Sequence, residues 1–200
     1  PDGNPRLRLA ISNAKGASMP KENITRAINK GSEKDGSNYI EATYEGYAPH
    51  AVAIYIECTT DNQQRTISNI RSYFNKFGGN LGTNGSLAFL FDRKGVFTID
   101  LDAFEMEVID AGAEDIQVED DIITISTAME DFGSMLRKLE EMKIEPENAE
   151  LQRIPKDTVK LDKESARKVL KLIDLFEDDD DISNVFHNLE ITEEMMEDAD

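Results

Sequence analysis

The stretch that decides the fold runs Glu57-Cys58-Thr59-Thr60-Asp61-Asn62, continues through a helical pattern to Phe77, and then reads Gly78-Gly79-Asn80-Leu81-Gly82-Thr83-Asn84-Gly85-Ser86 before the apolar run Leu87 to Phe91. Ala51 to Cys58 alternates Val52, Ile54 and Ile56 with Ala53, Tyr55 and Glu57, the period of a buried strand. Asp61 or Asn62 can cap the helix that follows, accepting backbone N–H groups its first turn leaves unpaired. Along that helix Ile67, Ile70, Phe74 and Phe77 form the core stripe, while Arg65, Arg71 and Lys76 face outward. Leu87, Phe89 and Phe91 then read as a returning strand, giving a strand-helix-strand unit.

The glycine-rich connector invites a phosphate-loop reading, which fails on detail. There is no Gly-Lys-Ser/Thr ending, and the loop follows a helix instead of opening one. Positive-φ turn chemistry explains its glycines better. Cys58 with His50 or His187 offers no better catalytic set, because the thiol sits at a strand end with no base placed beside it. No catalytic constellation emerges, and the expectation is a non-enzyme without cofactor. One cysteine and two separated histidines cannot make a zinc set.

Outward from this unit, Tyr39 to Tyr47 alternates and ends in the turn Gly46-Tyr47-Ala48-Pro49. Downstream, Val96 to Asp100 is a strand, Phe104, Val108 and Ala111 stripe a helix, and Ile116–Val118 and Ile122–Ser126 turn around Glu119-Asp120-Asp121. A helix striped by Phe132, Met135, Leu136 and Leu139 and a strand from Ala149 to Ile154 complete a ferredoxin-like order. After Pro155 come a strand at Val159 and Leu161, a helix from Lys163 to Phe176, and a strand over Ile182–Ile191. The halves 51–91 and 158–191 fit one six-element plan, so the expected fold class is α+β and multidomain. An N-terminal helical domain (1–38) precedes two ferredoxin-like α+β domains. Residues 94–155 are inserted in the discontinuous domain 39–93 and 156–200.

Charge is uneven. The chain totals −19, with 1–91 at +2 and 92–200 at −21. Such a body is repelled by nucleic acid over most of its surface, because binding there is driven by phosphate neutralisation. Residues 1–34 are the exception at +4. Leu7, Ile11, Ala14 and Ser18 stripe a first helix whose other side carries Arg8, Ser12 and Lys15. A second begins at Pro20, with Ile24, Ala27 and Ile28 on one side and Gly31 as its stop. The expected nucleic-acid contacts are Arg6, Arg8, Lys15, Lys21, Arg26 and Lys30, with Arg65 further along. The plainer reading is a solvated helix pair kept soluble by its charges. The run Glu177-Asp178-Asp179-Asp180-Asp181 sits at a helix C-terminus, where negative charge is mildly unfavourable, so a cation, a basic partner or simple solvation accounts for it, with solvation the plainer reading. Glu193 to Asp200 reads as a frayed acidic tail. No apolar run reaches the length of a membrane span, no signal peptide is visible, and a lone cysteine fits a reducing compartment; the expected location is the cytoplasm.

Several strings together resemble the YebC/PmpR family, which includes the mitochondrial translational activator of cytochrome c oxidase. They are Asn4-Pro5-Arg6-Leu7-Arg8-Leu9-Ala10, Met19-Pro20-Lys21, Tyr44-Glu45-Gly46-Tyr47, Thr60-Asp61-Asn62 with Arg65-Thr66, Gly78-Gly79-Asn80-Leu81-Gly82, Gly85-Ser86, Lys94-Gly95 and Val185-Phe186-His187-Asn188. The resemblance implies three domains, with the helical one incomplete here because family proteins carry a Lys/Arg-rich stretch before it. It also implies a nucleic-acid-linked regulator, either a transcriptional regulatory protein on promoter DNA or a translation factor on the ribosome and its RNA. A protein- or small-molecule-binding module using clefts between the domains is the reading from another class. One departure stands out. Where the family has Gly-Tyr-Gly-Pro-Gly-Gly, this chain has Gly46-Tyr47-Ala48-Pro49-His50-Ala51, which implies a stiffer loop.

Overall fold

The computed structural model describes residues 3–32, 39–103 and 106–192. Its described helices are α1 (Pro5–Gly16), α2 (Lys21–Ser32), α3 (Gln63–Phe77), α4 (Phe132–Glu141) and α5 (Lys163–Glu177). The strands are β1 (Ile40–Tyr47), β2 (Ala53–Thr60), β3 (Asn80–Leu81), β4 (Phe91–Asp100), β5 (Ala113–Glu119), β6 (Ile122–Ala128), β7 (Asn148–Pro155) and β8 (Ile182–His187). They make two four-stranded sheets, ordered β3-β1-β2-β8 and β5-β6-β4-β7. The class is α+β. Contacts divide the chain into one unit of residues 1–36 with 93–153, and another of 37–92 with 154–200.

In the second unit the alternation in β2 sends Ile54, Ile56 and Cys58 towards the helices, where they meet Ile70 and Phe74 of α3 and Val169, Leu172 and Phe176 of α5. Burying each such side chain contributes ~1.5–3 kcal/mol, which fixes both helices on this face. Asn62, not Asp61, caps α3 by accepting from the Arg65 N–H at 3.1 Å, and Gly78 ends it at φ 79°. Gly46 lets the Phe74 ring approach, since a Cβ there would lie 2.5 Å from its Cζ. The opposite face buries Ala53 and Tyr55 under Leu87 and Phe91.

Three expectations change here. Leu87–Phe91 is not a strand; Ala88–Leu90 form a 3-10 turn, Leu87 and Phe91 are buried, and Phe89 is 66 % exposed. Residues 158–161 make no strand either, only a single parallel bridge from Val159 to Leu189. The strand beside β2 is β1, paired from Ile40 opposite Thr60 to Tyr47 opposite Ala53. A hairpin partner six residues away closes more readily than one a hundred residues away, and β1 has the better alternation. Finally, the last strand ends at His187 instead of Ile191.

In the first unit β4 and β6 are central, as a ferredoxin-like order requires, with Phe97, Ile99, Ile123, Ile125, Met135 and Leu139 in the core. The expected helix striped by Phe104, Val108 and Ala111 is instead a pair of 3-10 segments, Leu101–Ala103 and Met106–Ala111, with Val108 fully buried; Phe104 lies outside the described residues. The acidic tail 193–200 also lies outside them.

Candidate nucleic-acid interface

Asn4 caps α1 by accepting from the Leu7 N–H at 3.1 Å, and Pro5 occupies its first turn. The helix has three distinct sides. Leu7, Ile11 and Ala14 face Ile24, Ala27 and Ile28 of α2. Leu9 packs on the core beneath β4 and β6, and the Asn13 side chain completes the edge of β7. Asn13 Nδ2 donates to the Ala149 carbonyl at 2.9 Å, while the Ala149 N–H donates back to Asn13 Oδ1 at 3.1 Å. Gly16 lies so close to Glu147 that a Cβ would fall 2.0 Å from its carbonyl oxygen. Neither helix contains a fully buried residue, so these contacts carry the docking of α1.

The third side of α1 carries Arg8, Ser12 and Lys15, which form one bank of a groove against α4. Lys21, Arg26 and Lys30 share one side of α2 with Thr25 and Asn29, interrupted by Glu22. Arg6 is exposed on α1 outside that groove lining. The structure thus brings Arg8 together with Lys15, and Lys21 with Arg26 and Lys30. Arg137 and Lys143 across the groove were not among the sequence expectations, since nothing in their local pattern marks them.

Arg65 belongs to the other unit and has a different task. Its Nε donates to Asp181 Oδ2 at 3.0 Å, and its Nη2 to Asp181 Oδ1 at 2.6 Å and Asp61 Oδ1 at 2.8 Å. Thr66 Oγ1 donates to the same Asp181 at 2.9 Å. Asp179 accepts from Tyr73 Oη at 3.0 Å and Asn69 Nδ2 at 3.2 Å. Two members of the acidic run therefore tie β8 and the end of α5 to α3. The Arg65 guanidinium beside Asp181 holds that carboxyl below the usual carboxylate range, against the upward push of burial.

The glycine loop is an anion cradle after all, and its anion belongs to the chain. The Glu45 carboxylate, 1 % exposed, accepts from the backbone N–H groups of Gly85 at 2.7 Å, Leu87, and Ala88 at 3.1 Å. Its own carbonyl accepts from the Gly82 N–H at 2.7 Å. The site that a phosphate would take is filled from β1. Cys58 is buried in strand β2, and burial, aided by Asp179, Asp181 and Glu57, pushes its thiol up to about 12. That thiol is no nucleophile.

Two family models match. One, described as the TACO1/YebC protein N-terminal domain, covers residues 1–34, and the other, the TACO1/YebC second and third domain, covers 39–189. The chain belongs to the TACO1/YebC family. Among curated TACO1/YebC relatives, one from Amoebophilus asiaticus is 52 % identical over 194 residues, covering 93 % of this chain and 80 % of its own. One from Cytophaga hutchinsonii is 51 % identical over 195 residues, covering 95 % and 82 %. Both carry the name "Probable transcriptional regulatory protein". The crystal structure of a conserved hypothetical protein from Aquifex aeolicus matches with a TM-score of 0.80 at 42 % identity, over 98 % of this chain and 84 % of that one. In this TACO1/YebC protein no helix among the described residues is long and apolar enough to cross a membrane.

Proposed function

We propose that this chain is a non-enzymatic, nucleic-acid-binding regulator of gene expression. Transcription is the process its curated relatives are named for. The supporting observation is the exposed basic set on α1 and α2, Arg6, Arg8, Lys15, Lys21, Arg26 and Lys30, on a chain of net charge −19. A polyanion approaching such a protein is repelled everywhere except at a local positive surface. Arg65 is left out of this set, because Asp181 and Asp61 already neutralise its guanidinium.

The second reading is a ribosome-associated translation factor in the cytoplasm, and the acidic body is what favours it. Residues 92–200 at −21 oppose non-specific spreading along duplex DNA, which leaves a shaped RNA site as the productive partner. Sedimentation of full-length protein with lysate, with and without ribonuclease, separates the two. Ribonuclease-sensitive co-migration with ribosomal subunits supports translation. Free protein that binds promoter fragments selectively and salt-dependently supports transcription. Reversing the charge of Arg6, Arg8 and Lys15 together abolishes either binding; unchanged binding would remove the basic-face reading.

A further inference from the structure

Between α1 and the C-terminal end of α4 runs a groove of about 1110 Å³. Arg8 and Lys15 stand on one bank, Arg137 and Lys143 on the other, above a floor that includes Leu9, Leu136 and Ile144. Among the described residues, no carboxylate pairs with any of these four cations. Residues 93–153 hold six basic side chains against seventeen acidic ones, so two cations meeting those of α1 here is an exception to the local charge. The double hydrogen bond of Asn13 with Ala149 and the close approach at Gly16 hold α1 against this unit.

Lys143 supplies an independent pointer. Its φ is 60°, and it sits where α4 ends in two reversing hydrogen bonds, Ile144 N–H to the Leu139 carbonyl at 2.9 Å and Lys143 N–H to the Glu140 carbonyl at 3.1 Å. That pattern favours glycine at the left-handed position, because any Cβ there is strained. A long cationic side chain at a glycine position works against the fold, and strain of this kind collects at functional sites.

We propose that this groove seats a single strand of RNA, with Arg8 and Lys15 contacting phosphates from one side and Arg137 and Lys143 from the other. The inference rests on the nucleic-acid reading above and names the ligand of that surface. A cationic groove that tracks one backbone over an apolar floor suits unpaired bases, which lay their faces against it, whereas a duplex keeps its faces stacked inside. The groove lining also holds the carboxylates of Glu140 and Glu145. They repel the phosphates of RNA and DNA alike, but they also accept hydrogen bonds from the 2′-hydroxyls that only RNA carries, which offsets the repulsion for RNA alone.

The test is fluorescence anisotropy on the full chain with a short labelled oligoribonucleotide of mixed sequence, its deoxy counterpart, and the corresponding DNA duplex, each across a salt series. The RNA strand binds tightest. Arg137→Ala and Lys143→Gly each weaken it roughly three- to tenfold and lower the salt slope by about 0.7. Lys143→Gly does so with a thermal midpoint equal to or above that of the parent, which a purely structural lysine would not show. Parent-like RNA affinity in both variants, while the Arg8 and Lys15 reversals abolish binding, would overturn the groove and leave the nucleic-acid reading standing. Equal or tighter binding of the duplex would overturn the single-strand assignment. Failure of the parent to bind any of the three probes would remove the reading itself.

Discussion

Arg65 and Asp181, separated by 116 positions in sequence, meet through two hydrogen bonds of 3.0 and 2.6 Å, joining the first turn of α3 to the start of β8. Asp181 is 7 % exposed, so the pair is sheltered on the carboxylate side. Asp181→Ala leaves Thr66 and the guanidinium without this partner, and the loss of hydrogen bonds to a buried charge lowers stability by about 1–3 kcal/mol. A urea titration measures this as a lower midpoint with an unchanged slope.

The same pair sets one part of the acid response. Because the folded Asp181 carboxyl is held low, its stabilisation is complete above the ordinary carboxylate range, near pH 4, and is lost as pH falls through its own lower value. His187 acts higher. Burial pushes its pKa down, so the unfolded chain takes up a proton that the folded chain refuses, and stability falls as pH drops below about 6.5. Thermal melts from pH 7 downward show two losses; Asp181→Asn removes the lower one and His187→Gln the upper.

Glu45 predicts a local effect. With Glu45→Ala the Gly85, Leu87 and Ala88 N–H groups lose their common acceptor. Hydrogen exchange at these three amides accelerates well before that of the β1–β2 ladder, and global stability drops by about 2–4 kcal/mol, the range for removing a buried charged acceptor and its side-chain packing. Exchange rates identical to the parent's would show that the cradle does not hold the loop.

Gly16→Ala tests how α1 is docked. The new methyl meets the Glu147 carbonyl oxygen, a backbone atom that cannot turn aside. Relief by lifting the helix costs about 1–3 kcal/mol, breaks the Asn13–Ala149 pair, and is seen as faster exchange at the Ala149 amide.

At the turn before β2, His50 and Ala51 have φ of 63° and 60°. These are two of the three positions, with Ala48, where the family pattern has glycine and this chain does not, and at these two the backbone keeps the glycine conformation without the glycines. Ala51→Gly therefore stabilises the fold, by about 1 kcal/mol, read as a rise in thermal midpoint. A fall would mean that chain entropy gained in the unfolded state outweighs the relieved strain.

Most of the element order was legible because it follows from period and caps. Asn62 and Gly78 bracket α3 as their chemistry demands, and Ile54, Ile56, Ile70 and Phe74 share one core. What could not be read is governed by distant partners. Leu87 to Phe91 has the apolarity of a strand, yet its amides are captured by a carboxylate about forty residues earlier. Asp179 and Asp181 look like members of a solvated run until Tyr73 and Arg65, over a hundred positions away, are brought beside them. Arg8 and Lys15 were legible as a basic side of a helix. Their counterparts Arg137 and Lys143 were not, because only the docking of α1 on β7 makes the four neighbours.

Strand β2 lies inside its sheet, between β1 and β8. During synthesis β1, β2 and α3 exist long before β8, and roughly 120 residues separate the two strands, some 5–25 s of translation. Over that interval one side of β2 is an open ladder and the Phe74 face of α3 lacks α5, an invitation to wrong pairing. Residues 93–153 supply their own four strands from one continuous segment and have no such wait. The nascent chain is therefore most exposed to aggregation in its second unit, and release of residues 154–192 is the step that closes it.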